Sequence, residues 1–198
     1  MRITGKSSAR DVAAAVAVAL ERAGLRGVLS GGGCASIYTR GLYQSVDLDF
    51  ILQGPGTQKQ LDAAMASIGF MREENQYFHS QARFYVEFPP GPLGIGDDYR
   101  IEPVEIRSGR SRLLLLSPTD SCRDRLAGFY HWNDRQGLEV AARIAARQDV
   151  DIEKIRRWSE QERALPRFEV FLEELERFRK RSRRRSQKPR PGGRPPRS

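Results

Sequence analysis

The sequence predicts an α+β domain: a small mixed β-sheet flanked by helices, then a C-terminal helical region and a disordered basic tail. Three observations predict it. Strand-like and helical segments intermix up to about residue 116 without strict alternation. From Ser117 onward every periodic segment has helical spacing. The final KPRPGGRPPRS is too rich in Pro, Gly and charge to pack. The chain thus divides into an α/β core at 1–116, a helical region at 117–182 and a tail at 183–198.

Residues 9–23 read as an amphipathic helix ended by Gly24, and Gly27-Val28-Leu29-Ser30 as a short strand running into Gly31-Gly32-Gly33. A short helix is expected at about 34–41. In SVDLDFIL, residues 45–52, Val46, Leu48 and Phe50 alternate with Asp47 and Asp49, the period of a strand. Gln53-Gly54-Pro55-Gly56 is a turn, and residues 57–69 follow as a helix with Leu61, Ala64, Met65 and Ile68 on one face. Strands are expected at about 70–79 and 82–88. In the second, Phe84, Val86 and Phe88 alternate with Arg83, Tyr85 and Glu87 before Pro89-Pro90-Gly91-Pro92 breaks it. Residues 99–107 and 112–116 are further strand candidates. Ser117-Pro118-Thr119-Asp120 is a strong helix start, and helices are expected near 118–131, 135–147, 151–163 and 166–182. Phe168, Phe171, Leu172, Leu175 and Phe178 mark the packed face of the last.

The 198 residues carry 34 Lys and Arg against 25 Asp and Glu, a formal charge of +9. Eleven of the basic residues lie between Arg177 and Ser198, where there is no acid, which leaves residues 1–176 at −2. The basic excess therefore belongs to the C-terminal end. That end reads either as a solubilising extension or as an electrostatic arm for RNA or DNA; no aromatic follows Phe178 to stack on bases. No stretch approaches the roughly 20 apolar residues of a membrane span, so no membrane partner is expected. The N-terminal Ala/Val run ends at Glu21 and Arg22 and reads as a helix, not a signal peptide. Cys34 and Cys122 make neither a disulfide framework nor a metal cluster, and a reducing, cytoplasmic setting is expected. Cys34 has no nearby His to activate it and reads as a small helix-start residue.

The chemistry concentrates in residues 28–52, VLSGGGCASIYTRGLYQSVDLDFIL. Asp47 and Asp49 lie two apart on a strand, so both carboxylates point to one face. Parallel carboxylates repel unless a cation sits between them, and a hard divalent ion such as Mg²⁺ is the natural occupant. Glycines before a helix N-terminus let phosphate oxygens approach backbone N–H groups. Together these parts serve metal-assisted phosphoryl or nucleotidyl transfer.

The segment resembles the signature of the polymerase-β-like nucleotidyltransferase superfamily, a glycine turn followed by Ser/Thr-x-Asp-x-Asp: here Gly32, Gly33, Ser45, Asp47 and Asp49. More narrowly, it is similar to small prokaryotic nucleotidyltransferases of the AbiEii type and to the minimal nucleotidyltransferases of toxin–antitoxin systems. The resemblance covers roughly residues 10–150. It extends to LLSPTDSCRDRLAGFYHWNDRQ, residues 115–136, where Arg125 matches a basic residue that faces the nucleotide. Two residues before Ser45, where relatives often carry Arg, this chain has Tyr43.

The resemblance implies a nucleotidyltransferase fold and a nucleotide site made by Gly32, Gly33, Ser45 and Arg125. It implies a third metal-holding acid on a neighbouring strand. Glu87, in the cleanly alternating FYVEF, is favoured; Glu105, with Glu102 and Arg107 beside it, is the alternative. It further implies Mg²⁺ or Mn²⁺ held by Asp47, Asp49 and the third acid, and transfer of a nucleoside monophosphate from an NTP to a hydroxyl. The acceptor would be a protein side chain, a tRNA or other RNA end, or a small molecule, in a toxin–antitoxin or phage-defence setting. The competing expectation is a catalytically weak module of the same fold that binds nucleotide or nucleic acid.

Overall fold

The computed structural model describes residues 2–108 and 111–186. Chain order runs α1 (Ala9–Arg22), β1 (Gly27–Leu29), α2 (Gly31–Tyr38), β2 (Asp47–Leu52), α3 (Gln58–Ala66), β3 (Phe70–Glu73), β4 (Gln76–His79) and β5 (Tyr85–Glu87). It continues with β6 (Val104–Ser108), β7 (Ser111–Leu115), α4 (Pro118–Trp132), α5 (Arg135–Ala145), α6 (Ile152–Gln161) and α7 (Leu165–Ser186). The strands form one mixed sheet in the order β3-β4-β5-β2-β1-β7-β6, so the class is α+β. β2 pairs parallel with β5 and β1 parallel with β7, whereas β1 and β2 are antiparallel. Among the described residues no helix is long and apolar enough to cross a membrane.

The helix starts follow from side chains that satisfy first-turn N–H groups. Ser8 and Asp11 cap α1 reciprocally, and Thr57 and Gln60 do the same for α3. Ser117 caps α4 with Pro118 in its first turn. α1 buries Val12, Ala13, Val16 and Leu20, and a single apolar cluster extends from Ile3 to Leu175. The α/β part and the helical part therefore share one core, although the boundary near residue 116 does separate the last strand from the helices.

Four expectations are corrected. Helix α2 begins at Gly31, not near residue 34, because the three glycines form its first turn instead of preceding it. A Cβ on Gly33 would lie 2.8 Å from Leu48 Cδ2, so only glycine lets this turn lie against β2. The segment 70–79 is a hairpin and not one strand: Glu74 adopts φ 54 and, with Asn75, reverses the chain between β3 and β4. β6 starts at Val104, not at 99, since residues 101–103 have no strand partner. α7 runs through Ser186, into the segment expected to be disordered; residues 187–198 of that segment lie outside the described residues.

Arg123, buried on α4, ties the helical part to the loop that follows β5. Its guanidinium donates to Asp120 at 2.8 Å and to Asp98 at 2.7 Å, and lies 5.1 Å from the Trp158 ring centre on α6. Lys154 adds a second cation 3.0 Å from Asp120. Although burial opposes it, Lys154, Ser117 and Arg123 hold the Asp120 carboxyl below its usual range. Arg123→Met leaves two carboxylates short of their partner and should destabilise the protein by about 3–5 kcal/mol in urea unfolding. A loss below about 1 kcal/mol would show that Lys154 alone neutralises the cluster.

Candidate active site

The register of β2 and β5 places the acids. Leu48 pairs with Val86, and both are fully buried with Phe50 in the core. The alternate positions face the other way: Asp47 lies opposite Tyr85, and Asp49 directly opposite Glu87. Asp47, Asp49 and Glu87 thus share one face of two adjacent strands, which stand about 4.8 Å apart. Gln76 on β4 lies opposite Glu87, and its amide donates to the Glu87 carboxylate. Ser45, just before β2, donates its hydroxyl to Asp47.

The first turn of helix α2 lies along β2 and brings its start beside this face. Ser30 leaves β1 and bonds the Asp49 carbonyl through its N–H at 2.9 Å and its hydroxyl at 3.4 Å. That hydroxyl makes no cap to the first turn of α2, so the turn's N–H groups keep their capacity for an acceptor. Gly31 has φ 60, and a Cβ there would lie 2.1 Å from Asp49 Oδ2. The carboxylate occupies the space that any other residue would fill. Gly32 is similarly confined by the Ser45 hydroxyl and Tyr43.

α4 supplies the opposing charge. Arg125 donates through Nε and Nη2 to Asp124 at 3.0 and 2.8 Å. Both line a cleft of about 360 Å³ with Ser30, Gly31 and Asp49; Pro89, Pro90, Pro92 and Leu93 form another part of its wall. A wider groove of about 730 Å³ adjoins Glu87 and is lined by Gln58, Arg72 and Gln76, with Pro89 and Pro90 common to both.

The electrostatics follow from this placement. Burial, then the charges of Asp47, Glu87 and Asp124, push the Asp49 carboxyl up to about 7, with Arg125 opposing. Burial works against the charge of Arg125, yet Asp124, Tyr43 and Asp49 raise its pKa and keep it cationic. Cys34 lies under the site without taking part: its thiol is buried against the Leu116 carbonyl, and burial pushes it up to about 12.

Three acids with hard oxygen donors on one face suit a divalent cation in chemistry and register. Among the described residues, however, no three such groups are already gathered into a metal-holding cluster. The outer two are drawn aside, Asp47 by Ser45 and Glu87 by Gln76.

Of the residues singled out in the sequence, Asp47, Asp49, Glu87, Ser45 and Arg125 belong to this region. Gly32 and Gly33 are buried and face β2, whereas Gly31 lines the cleft. Glu105 is not part of it: it sits on the edge strand β6, with β7 and β1 between it and β2, and pairs with Arg112 at 3.9 Å. Ser30, Gly31 and Asp124 escaped the sequence reading. Asp124 had one available signal, its place beside Arg125 on a helix. Compared with family models, curated proteins and solved structures, the chain matches none.

Two outcomes are expected. Asp49 holds a proton in the folded state that the unfolded chain releases near pH 4, so its contribution to stability falls as pH rises from about 4 to 7. Asp49→Asn should therefore be more stable than the parent by about 1–3 kcal/mol at pH 8 in EDTA, the difference closing below pH 4, as read by urea unfolding. Gly31→Ala combines a strained φ with a collision on Asp49 and should destabilise by about 2 kcal/mol or more in the same assay.

Proposed function

We propose that the protein is a metal-dependent nucleotidyltransferase that moves a nucleoside monophosphate from an NTP to a hydroxyl of an RNA or protein acceptor. The observation that carries this is the row of Asp47, Asp49 and Glu87, none of which is ion-paired to Lys or Arg among the described residues. Such a row raises the energy of the fold unless it serves to capture a cation. The resemblance of Gly32-Gly33 and Ser45-x-Asp47-x-Asp49 to the polymerase-β-like nucleotidyltransferases supports the same reading.

In this scheme Asp47, Asp49 and Glu87 hold Mg²⁺ or Mn²⁺. When bound, the cation neutralises phosphate charge and makes the α-phosphorus more electrophilic. The open first turn of α2 and the Arg125 guanidinium receive the triphosphate in the cleft beside Asp49. Glu87, which borders the wider groove, accepts the proton of the acceptor hydroxyl there. The acceptor oxygen bonds to the α-phosphorus, the α–β bridging bond breaks, and pyrophosphate carries the leaving electron pair away. Ser45 and Gln76 hold the two outer carboxylates by hydrogen bonds, from which a cation would have to draw them.

A second reading has its own observation. The outward hydrogen bonds of Asp47 and Glu87, with Tyr43 where relatives often have Arg, favour a module that binds nucleotide without transferring it. Incubation with α-labelled NTPs, Mg²⁺ or Mn²⁺ and a cell extract separates the two. The enzyme reading expects label transfer that falls by about 10³-fold or more in Asp47→Ala, Asp49→Ala and Glu87→Ala, while Glu105→Ala transfers normally. NTP binding without transfer under every metal would leave the binding module, and neither binding nor transfer would remove both.

A further inference from the structure

A separate pocket of about 380 Å³ opens where the chain enters β2 and β5. Lys6, Arg10, Arg40 and Arg83 line it, and no acid does. Ser45 lines it too, and since the Ser45 hydroxyl donates to Asp47, the pocket begins one side chain away from the carboxylate row. Four cations around one cavity, in a body whose sequence charge is −2, amount to a local segregation of charge. None of the four is in an ion pair among the described residues. Asp11, beside Arg10 in the chain, is engaged elsewhere: it accepts from Ser8 N at 3.0 Å and Ser8 Oγ at 2.7 Å in the cap of α1. Arg10 donates to the Arg107 carbonyl on β6, a neutral partner that leaves its charge uncompensated.

Local backbone structure fixes where two of these exposed cations leave the chain. Arg40 adopts φ 53 directly before Gly41 at φ 77, a conformation that glycine takes at lower cost. A helix end that only had to terminate would favour Gly at this position. Lys6 sits in a turn closed by Ser7 N to Thr4 O at 3.0 Å, with its own N–H on Thr4 Oγ1 at 3.3 Å. Between the cations the lining is mixed: Ile37 and Phe84 stand among Ser8, Ser36, Gln44 and Ser45. Cations with one partly exposed aromatic ring and several hydrogen-bonding groups beside them suit a nucleotide unit better than a free inorganic ion.

We propose that this pocket binds backbone phosphates of a single-stranded polynucleotide whose terminal hydroxyl reaches the carboxylate row. The role of that strand as acceptor rests on the nucleotidyl-transfer reading above; its binding does not. The same phosphate chemistry is present in the triphosphate of an NTP, so the test has two arms. In the first, fluorescence anisotropy follows a short labelled single-stranded RNA with the full chain in EDTA. In the second, the affinity for a non-hydrolysable NTP is measured with Mg²⁺.

Both arms compare the parent with Arg40→Gly, Arg40→Gly/Arg83→Ala and a control pair, Arg22→Ala/Arg147→Ala, which removes the same charge from other exposed positions. Arg40→Gly relieves a positive φ, so an unchanged or higher Tm is expected. The basic C-terminal segment is common to every variant, so differences between them report the pocket. The pocket double variant should bind RNA about tenfold more weakly or worse, with a salt dependence shallower by about two phosphate equivalents, and the control should stay within about twofold of the parent. Equal losses in the control, no loss in the RNA arm, or a loss confined to the NTP arm would overturn the assignment. Asp47→Ala should keep RNA binding while losing transfer. RNA binding through the pocket by a parent that transfers nothing would retain the pocket and remove the enzyme reading.

Discussion

Three carboxylates held in register by one parallel strand pair are the constraint on which the rest of the site depends. Asp47, Asp49 and Glu87 cannot separate along the backbone, because Leu48, Val86 and Phe50 on the opposite face are locked in the core. Only their side chains can relieve the repulsion, and they do so by turning toward Ser45 and Gln76. Asp49 has no such outlet. It is wedged against Gly31, half-buried, and its raised pKa expresses the cost. Arg125 offsets part of that cost, but Asp124 takes most of its hydrogen bonding. The net negative charge that remains is a stability defect of the kind that binding sites retain.

The framework around this defect is correspondingly rigid. Antiparallel pairing of β1 with β2 brings Ser30 and the start of α2 beside Asp49, and the Ser30 bonds to the Asp49 carbonyl fix that approach. α4 enters directly from β7, the parallel neighbour of β1, so Asp124 and Arg125 reach the same end of the sheet. The buried Arg123 bridge from Asp120 to Asp98 then anchors α4 from its opposite side. Sheet, α2 and α4 thus converge on one cleft, with the Pro89–Leu93 stretch lining the remainder.

Much of this was legible in the residues. SVDLDFIL and FYVEF alternate cleanly, and their parity alone sets Asp47, Asp49 and Glu87 opposite a buried face. Ser117-Pro118 announces α4 by cap chemistry that needs no tertiary context. What escaped depends on contacts distant in sequence or on unusual backbone. Gly31 reads as one of three turn glycines until Asp49 is seen in its Cβ position. The 70–79 hairpin hides because Glu74, not Gly or Asn, takes the left-handed position. Arg123 looks like a surface charge in CRDRLAG, yet it is among the most buried side chains in the chain, through partners 25 residues upstream and three before it. The late start of β6 does have a signal, Pro103, which has no N–H to give a ladder and stands just outside the strand.

The chain's charge is now divided in three. The basic excess of the sequence lies beyond Arg177; the body carries an anionic row and, beside it, a cationic pocket. The row is the central element, and the Asp49 carboxyl reports on it directly. Its titration, followed by ¹³C NMR with and without Mg²⁺, should show a midpoint at about 7 in EDTA that drops toward the ordinary carboxylate value when Mg²⁺ is added. An ordinary midpoint in EDTA, unmoved by Mg²⁺, would mean that the three carboxylates neither sense one another nor gather a cation.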